Sequence, residues 1–236
     1  MYCSPSLRLA GATVALVSFL SAASPEPPLV KARDQQNLQV LDGLIANYKK
    51  VAEADGKSAE AQYKSALAYS YAAEVAMELR DKKKAESYAV AGLDAARKAV
   101  AANESNAEYH RLLGAMCGQV IPANPLLGAL SYGSCARDEI NKAISLNGSL
   151  ALAYVSRGVG NFYLPAQMGG GVDLALKDVD KAISLDPKLA DAYLWKGVIL
   201  RKANRGSEAR QAFDQALKLA PDRLWAKQQL DKTPAR

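Results

Sequence analysis

The sequence predicts an all-α protein: a right-handed superhelical α-solenoid of about four helix hairpins with capping helices. Three observations lead there. Past residue 30, Ala, Leu, Lys and Tyr recur at helical spacing with almost no strand-like alternation. The phrase Lys-Ala-Ile-Ser-Leu occurs at 142–146 and again at 181–185, the mark of an internal repeat. The 236 residues are 50% hydrophobic and 23% charged, enough apolar material for a core and too much for wholesale disorder.

In chain order, residues 1–23 read as a signal peptide. Arg8 precedes an apolar run from Leu9 to Ala23, shorter than the ~20 residues a membrane span needs, and Ser21-Ala22-Ala23 offers a cleavage site. The protein is therefore expected to be exported, to the periplasm or outside a bacterium, and not to span the membrane once cleaved. A lipid anchor would need a cysteine just after the run, and Cys3 lies before it. Pro25, Pro27 and Pro28 make 24–30 an extended linker. Residues 31–58 then form an N-terminal capping helix.

Four hairpins follow, at 59–106, 107–150, 151–189 and 190–223, with a closing helix and tail at 224–236. The last hairpin is the clearest. Counting Ala190 as position 1, Tyr193, Gly197, Leu200, Ala209, Phe213, Ala216 and Pro221 fall at positions 4, 8, 11, 20, 24, 27 and 32. Gly197 and Ala209 let two antiparallel helices approach closely. Tyr193, Leu200 and Phe213 fill the space between them, and Pro221 follows the end of the second helix. Unit 59–106 is divergent, with Tyr69 at position 11. Unit 107–150 keeps Gly114, Ala136, Ile140 and Ala143 and carries a long insertion, Gln119–Ser134. Unit 151–189 keeps Tyr154, Gly158, Ala175, Val179, Ala182 and Pro187, with extra length at Pro165–Gly171.

This spacing resembles the tetratricopeptide repeat (TPR). Tyr163-Leu-Pro-Ala-Gln-Met-Gly-Gly-Gly171 and Pro221-Asp-Arg-Leu-Trp-Ala-Lys227 are also similar to turns of bacterial exported TPR proteins. There is a looser similarity to the TPR component of tripartite periplasmic transporters, which docks a solute-binding protein. The TPR resemblance implies a concave surface lined by positions 2, 5, 6, 9, 12 and 13 of each first helix. Carried onto this chain, that groove holds Asp191, Leu194, Trp195, Val198, Arg201 and Lys202 in the last unit. Phe162 and Tyr163 come from the unit before, and Arg111, Tyr63 and Tyr71 from the earlier ones. Aromatics and Arg dominate interface energetics. The Asn that some TPR grooves use at position 9 to clamp a C-terminal carboxylate is replaced by Ala115, Val159 and Val198.

Other chemistry is sparse. Cys117 and Cys135 flank the long insertion, the first near the end of one helix and the second at the start of its partner. A disulfide in an oxidising compartment is expected, with two small buried thiols as the alternative; a metal site lacks further ligands. His110, the one histidine, stands at packing position 4. Gly169–Gly171 lack the Lys-Ser/Thr of a phosphate loop and read as a turn, with Asp173 capping the next helix. Asp138-Glu139 and Asp178 with Asp180 read as solvated surface, and Lys82–Lys84 as a surface turn. No nucleophile, base and acid cluster, so no enzyme, metal or cofactor is expected. The net charge of +6 is spread along the chain, unlike a nucleic-acid binder. The expected function is a non-catalytic scaffold or adaptor holding a protein or peptide in its concave groove. The alternative is a transporter-associated protein that docks a solute-binding protein or takes a small organic ligand.

Overall fold

The structure, a computed structural model, describes residues 27–123 and 125–234. Among these, eleven α-helices follow one another: α1 Pro27–Asp34, α2 Leu38–Ala54, α3 Ala59–Glu78, α4 Lys82–Ala102, α5 Ala107–Val120, α6 Pro125–Leu146, α7 Ala151–Tyr163, α8 Val172–Leu185, α9 Ala190–Lys202, α10 Gly206–Leu219 and α11 Leu224–Asp231. The chain is an α-solenoid. The hairpins α3/α4, α5/α6, α7/α8 and α9/α10 stack so that α3, α5, α7 and α9 touch in series and make one face.

The helices start where short polar side chains can take free backbone donors. Asn37 Oδ1 accepts from the Val40 amide, Ser58 Oγ from Ala61, and Asp81 Oδ1 from Lys84. Asn106 accepts from Glu108 and Tyr109. The later helices α7 and α9 are entered through Leu150 and Leu189, which have no such oxygen. There the polar residue sits earlier in the turn: Asn147 accepts from the Ser149 amide and Asp186 from that of Lys188.

The hairpins pack through small residues. A methyl group on Gly197 would lie 2.5 Å from the Phe213 ring, so the missing side chain lets α9 and α10 close on a fully buried Phe213. The core is continuous at the N-terminal end, where Leu29, Leu41, Tyr63, Leu67, Val75, Leu93, Leu112 and Met116 join α1 through α5 in one cluster. Toward the C-terminus it divides into smaller clusters, the largest around Leu194, Leu200, Phe213 and Ala226.

Several elements differ from the sequence expectation. The expected signal segment 1–23 lies outside the described residues. Part of the expected linker is helical: Pro27 and Pro28 open α1, at positions where the missing N–H has no intrahelical partner to lose. The stretch expected as one capping helix contains the end of α1 and all of α2, with Gln36 at φ 52° in the turn between them. The insertion 119–134 does not hang out as a long turn. It forms a short 3-10 segment and then the first part of α6, so Cys135 sits well inside α6. The expected bond between Cys117 and Cys135 still forms, with Cα atoms 6.0 Å apart, tying α6 to α5. Asp173 does not cap α8; Gly171 holds that place at φ 112°, with Asp173 in the first turn. Asp178 is buried rather than solvated, because Arg157 grips it with two hydrogen bonds of 3.0 and 2.6 Å and Asn161 adds a third.

Candidate functional site

The inner face, read from position numbers as one groove, consists of two unlike regions. The first is closed. α1 lies across the inner face and buries Leu29, Ala32, Arg33 and Asp34. The Arg33 guanidinium stands 4.9 Å over the Tyr71 ring. Its Nη1 donates to Asp191 Oδ2 at 2.9 Å, and its Nε and Nη2 donate to Asp34 Oδ1 at 3.0 and 2.8 Å. Burial pushes the Asp191 carboxyl up, but Arg33, Arg223 and Arg111 together hold it below its ordinary value. Burial also pushes the Tyr71 hydroxyl up to about 12, against the pull of Arg33.

A second arginine completes the closure. Arg223, in the turn before α11, is 2% exposed. Its Nη2 donates to Glu74 Oε1 at 2.6 Å and also to Glu78, and its Nε lies 3.6 Å from Asp34. Gln36 and Gln228 exchange an amide hydrogen bond of 2.9 Å beside it. The C-terminal turn is thereby joined to α1 and α3, and the two ends of the repeat array meet. Burial raises the Glu74 carboxyl to about 7, with Arg223 and Arg33 pulling it down.

Tyr63, Tyr71, Arg111, Asp191 and Leu194 are therefore not open groove residues, as the repeat positions implied. Tyr63 stacks on Tyr109 with ring centroids 5.1 Å apart and donates to Glu108 at 3.1 Å. Arg111 is buried and held by both oxygens of Glu108 at 2.7 and 2.6 Å. Leu194 is core. Their positions on first helices are as expected; α1 and the neighbouring repeat cover them. His110 is also buried: its ring nitrogens sit 2.6 Å from Glu139 Oε2 and 2.9 Å from the Glu104 carbonyl. Glu139 thus has a partner and is not merely solvated.

The second region is open. Phe162 and Tyr163 at the end of α7, Val198, Arg201 and Lys202 at the end of α9, Asn204 in the next turn, and Trp225 and Gln229 of α11 surround a cleft of about 560 Å³. Tyr163 is 66% exposed at its rim. A ladder of edge-on aromatic contacts runs behind it: Phe162 to Tyr163 at 5.0 Å, Tyr163 to Trp195 at 6.4 Å, and Trp195 to Trp225 at 5.4 Å. Trp195 thus backs the cleft instead of standing free on it. Arg201 donates to the Gln229 carbonyl at 3.2 Å and to Gln229 Oε1 at 2.6 Å, both neutral oxygens. Burial lowers its pKa with no carboxylate to offset the loss of hydration. Among the described residues, no carboxylate lines the cleft. Among the described residues, no group of three or more His, Cys, Asp or Glu side chains could hold a metal, and no helix is long and apolar enough to cross a membrane.

Sequence reasoning missed Arg33, Asp34, Glu74, Glu78 and Arg223. Arg223 lies within the closing signature Pro221–Lys227, where an arginine between a turn and a capping helix was the available signal. Arg33 carried none, because the groove positions apply to repeat helices and α1 is not one.

Comparison with known proteins agrees with this architecture. No curated protein sequence matches the chain. Among solved structures, a thermophilic TPR protein of Thermus thermophilus aligns with a TM-score of 0.60 at 16% identity, covering 89% of this chain and 98% of that one. The HusA haemophore from Porphyromonas gingivalis aligns at 0.54 and 20% identity, covering 82% and 92%. At such identities these relatives share the fold alone. The family model for tetratricopeptide repeats matches residues 190–223, the hairpin α9/α10 with the turn after it. The model for regulator of microtubule dynamics protein 1-3 matches residues 29–164, more than half of the sequence, from the inserted helix α1 to the rim of the cleft. With α1 and the first hairpins inside that match, and a TPR unit closing the array, the chain belongs to the regulator of microtubule dynamics protein 1-3 family and is a TPR protein.

Proposed function

We propose that this protein is a non-catalytic scaffold that binds a segment of another protein in the C-terminal cleft. The observation that carries the reading is the cleft's composition: exposed and half-buried aromatics beside Arg201 and Lys202, with no carboxylate among the described residues of the lining. Such a surface suits an extended peptide that inserts an apolar side chain against Tyr163 and Trp225 and sets an acidic group on Arg201. It replaces the longer groove implied by the repeat positions, whose other end α1 fills.

The cleft reports on itself. Trp195 and Trp225 are the only two tryptophans, and both belong to its aromatic ladder. Titrating acidic, aromatic-containing peptides into the protein should change tryptophan fluorescence, and Arg201→Glu should abolish the change. A response that survives both Arg201→Glu and Tyr163→Ala would place binding elsewhere. The small-ligand alternative has its own test: a rise in melting temperature with small organic acids but not with peptides.

We also propose that the protein is exported, on the apolar run Leu9–Ala23 and the small residues Ser21-Ala22-Ala23 at its end. The Cys117–Cys135 bond supports that reading, since disulfides persist in oxidising compartments. Intact-mass analysis of the protein from its own cells would find the N-terminal segment removed; a cytosolic chain retaining Met1 would refute export. Family membership supports a second reading, a microtubule or other cytoskeletal polymer as partner. Co-sedimentation with polymer, repeated with Arg201→Glu, tests it, and a cytosolic location is its precondition.

A further inference from the structure

We propose that the closed part of the inner face is a receptor for an arginine-bearing amphipathic helix, and that α1 occupies it in cis. The argument begins with α1 itself. It has eight residues, far below the ~12–15 at which an isolated helix becomes even marginal in water. It holds its shape because it is docked. Its buried face is Leu29, Ala32, Arg33 and Asp34, the spacing of a ligand helix laid in a groove.

The groove side is complementary in charge. Asp191 occupies position 2 of its repeat, a place from which TPR helices face their ligands, and it meets Arg33 at 2.9 Å. Tyr71 offers its ring to the same guanidinium, and Glu74 adds negative charge close by. Arg223 pairs with Glu74 and Glu78, and the side-chain hydrogen bond to Asp191 comes from Arg33 of α1. A helix with an apolar residue four positions before an arginine meets these requirements: the first fills the Leu29 site and the second bridges Asp191 and Tyr71. On its C-terminal side α1 is tethered by the turn 35–37, in which Gln36 adopts φ 52° and bonds Glu78 and Gln228. An external helix competes with a tethered one and binds in proportion to the fraction of molecules in which α1 is away.

The test uses a labelled peptide of residues 27–37, titrated by fluorescence anisotropy into the full chain. The receptor carries Leu29→Ala and Arg33→Ala, which remove the anchors of its own α1; the unaltered chain is the control. The altered chain should bind the peptide at least tenfold more tightly than the control. A peptide carrying Arg33→Glu should not bind, and adding Asp191→Arg to the receptor should reverse that preference. A folded receptor that ignores the peptide, or binds it whatever stands at position 33, overturns the proposal. Should the altered receptor fail to fold, hydrogen exchange on the unaltered chain decides. Amides of α1 exchanging ahead of those in α3 and α5 support a groove that opens. Amides of α1 exchanging only with global unfolding overturn it. Both readouts are independent of Tyr163 and Arg201, so they stand apart from the cleft's own test.

Discussion

Tyr63 and Tyr163 both occupy groove stations on first helices, yet Tyr63 is 3% exposed and Tyr163 66%. The difference lies in what surrounds them. Tyr63 is stacked on Tyr109, bonded to Glu108 and enclosed by the core that α1 to α5 share. Tyr163 stands where α7 ends, with a glycine turn on one side and the short α11 across the cleft. A repeat register states which face a residue lies on. Whether that face is wet depends on segments outside the repeat, here α1 at one end and α11 at the other.

The largest way to break this contrast is Arg223→Ala. It would leave Glu78 and its neighbours without their buried counter-charge, and removing one partner of such a pair costs about 3–5 kcal/mol. Urea unfolding should show the loss, with increased exchange in α1. A smaller loss, about 3 kcal/mol in the chain-entropy picture, is expected for Cys117→Ser with Cys135→Ser, which opens a loop between residues 18 apart. Reduction of the unaltered protein should match it, and the cleft should be indifferent to both.

The paired tyrosines sharpen the comparison directly. Tyr63→Phe removes the bond to Glu108 and should cost about 1 kcal/mol. Tyr163→Ala, at an exposed site, should stay within about 0.5 kcal/mol while weakening peptide binding. Equal stability losses would erase the distinction between the two ends. A pH slope tests the closed end separately. Glu74 in the folded protein is raised to about 7 from an ordinary 4.5, so the folded form holds an extra proton between those values. That contribution is fully present below 4.5 and is lost as pH rises through 7. The melting temperature should fall more between pH 5 and pH 8 in the unaltered protein than in Glu74→Gln.

Much of the architecture was legible because it repeats. Gly197 beside Phe213, and Ala209 and Ala216 with full burial, could be placed from spacing alone, since close helix contact admits few residue types. The insertion 119–134 misled: its Pro and Gly residues read as a loop, yet most of it extends α6, and Pro125 takes the helix start, where proline is tolerated. Asp178 misled for a different reason. A carboxylate on a second helix is ordinarily solvated, and its burial depends on Arg157 and Asn161 one helix away.

By itself the sequence determined the all-helical class, the pairing of the repeat helices into hairpins and the face each groove residue would occupy. Those follow from periodicity, small residues and capping side chains acting within about forty residues of one another. Only the tertiary structure decided which part of that face is filled. The ion pairs that close it join Arg33 to Asp191 and Arg223 to Glu74 and Glu78, partners more than a hundred residues apart. No local pattern encodes such pairs. They form because the array curves until its ends meet, and a buried arginine that arrives there must find a carboxylate.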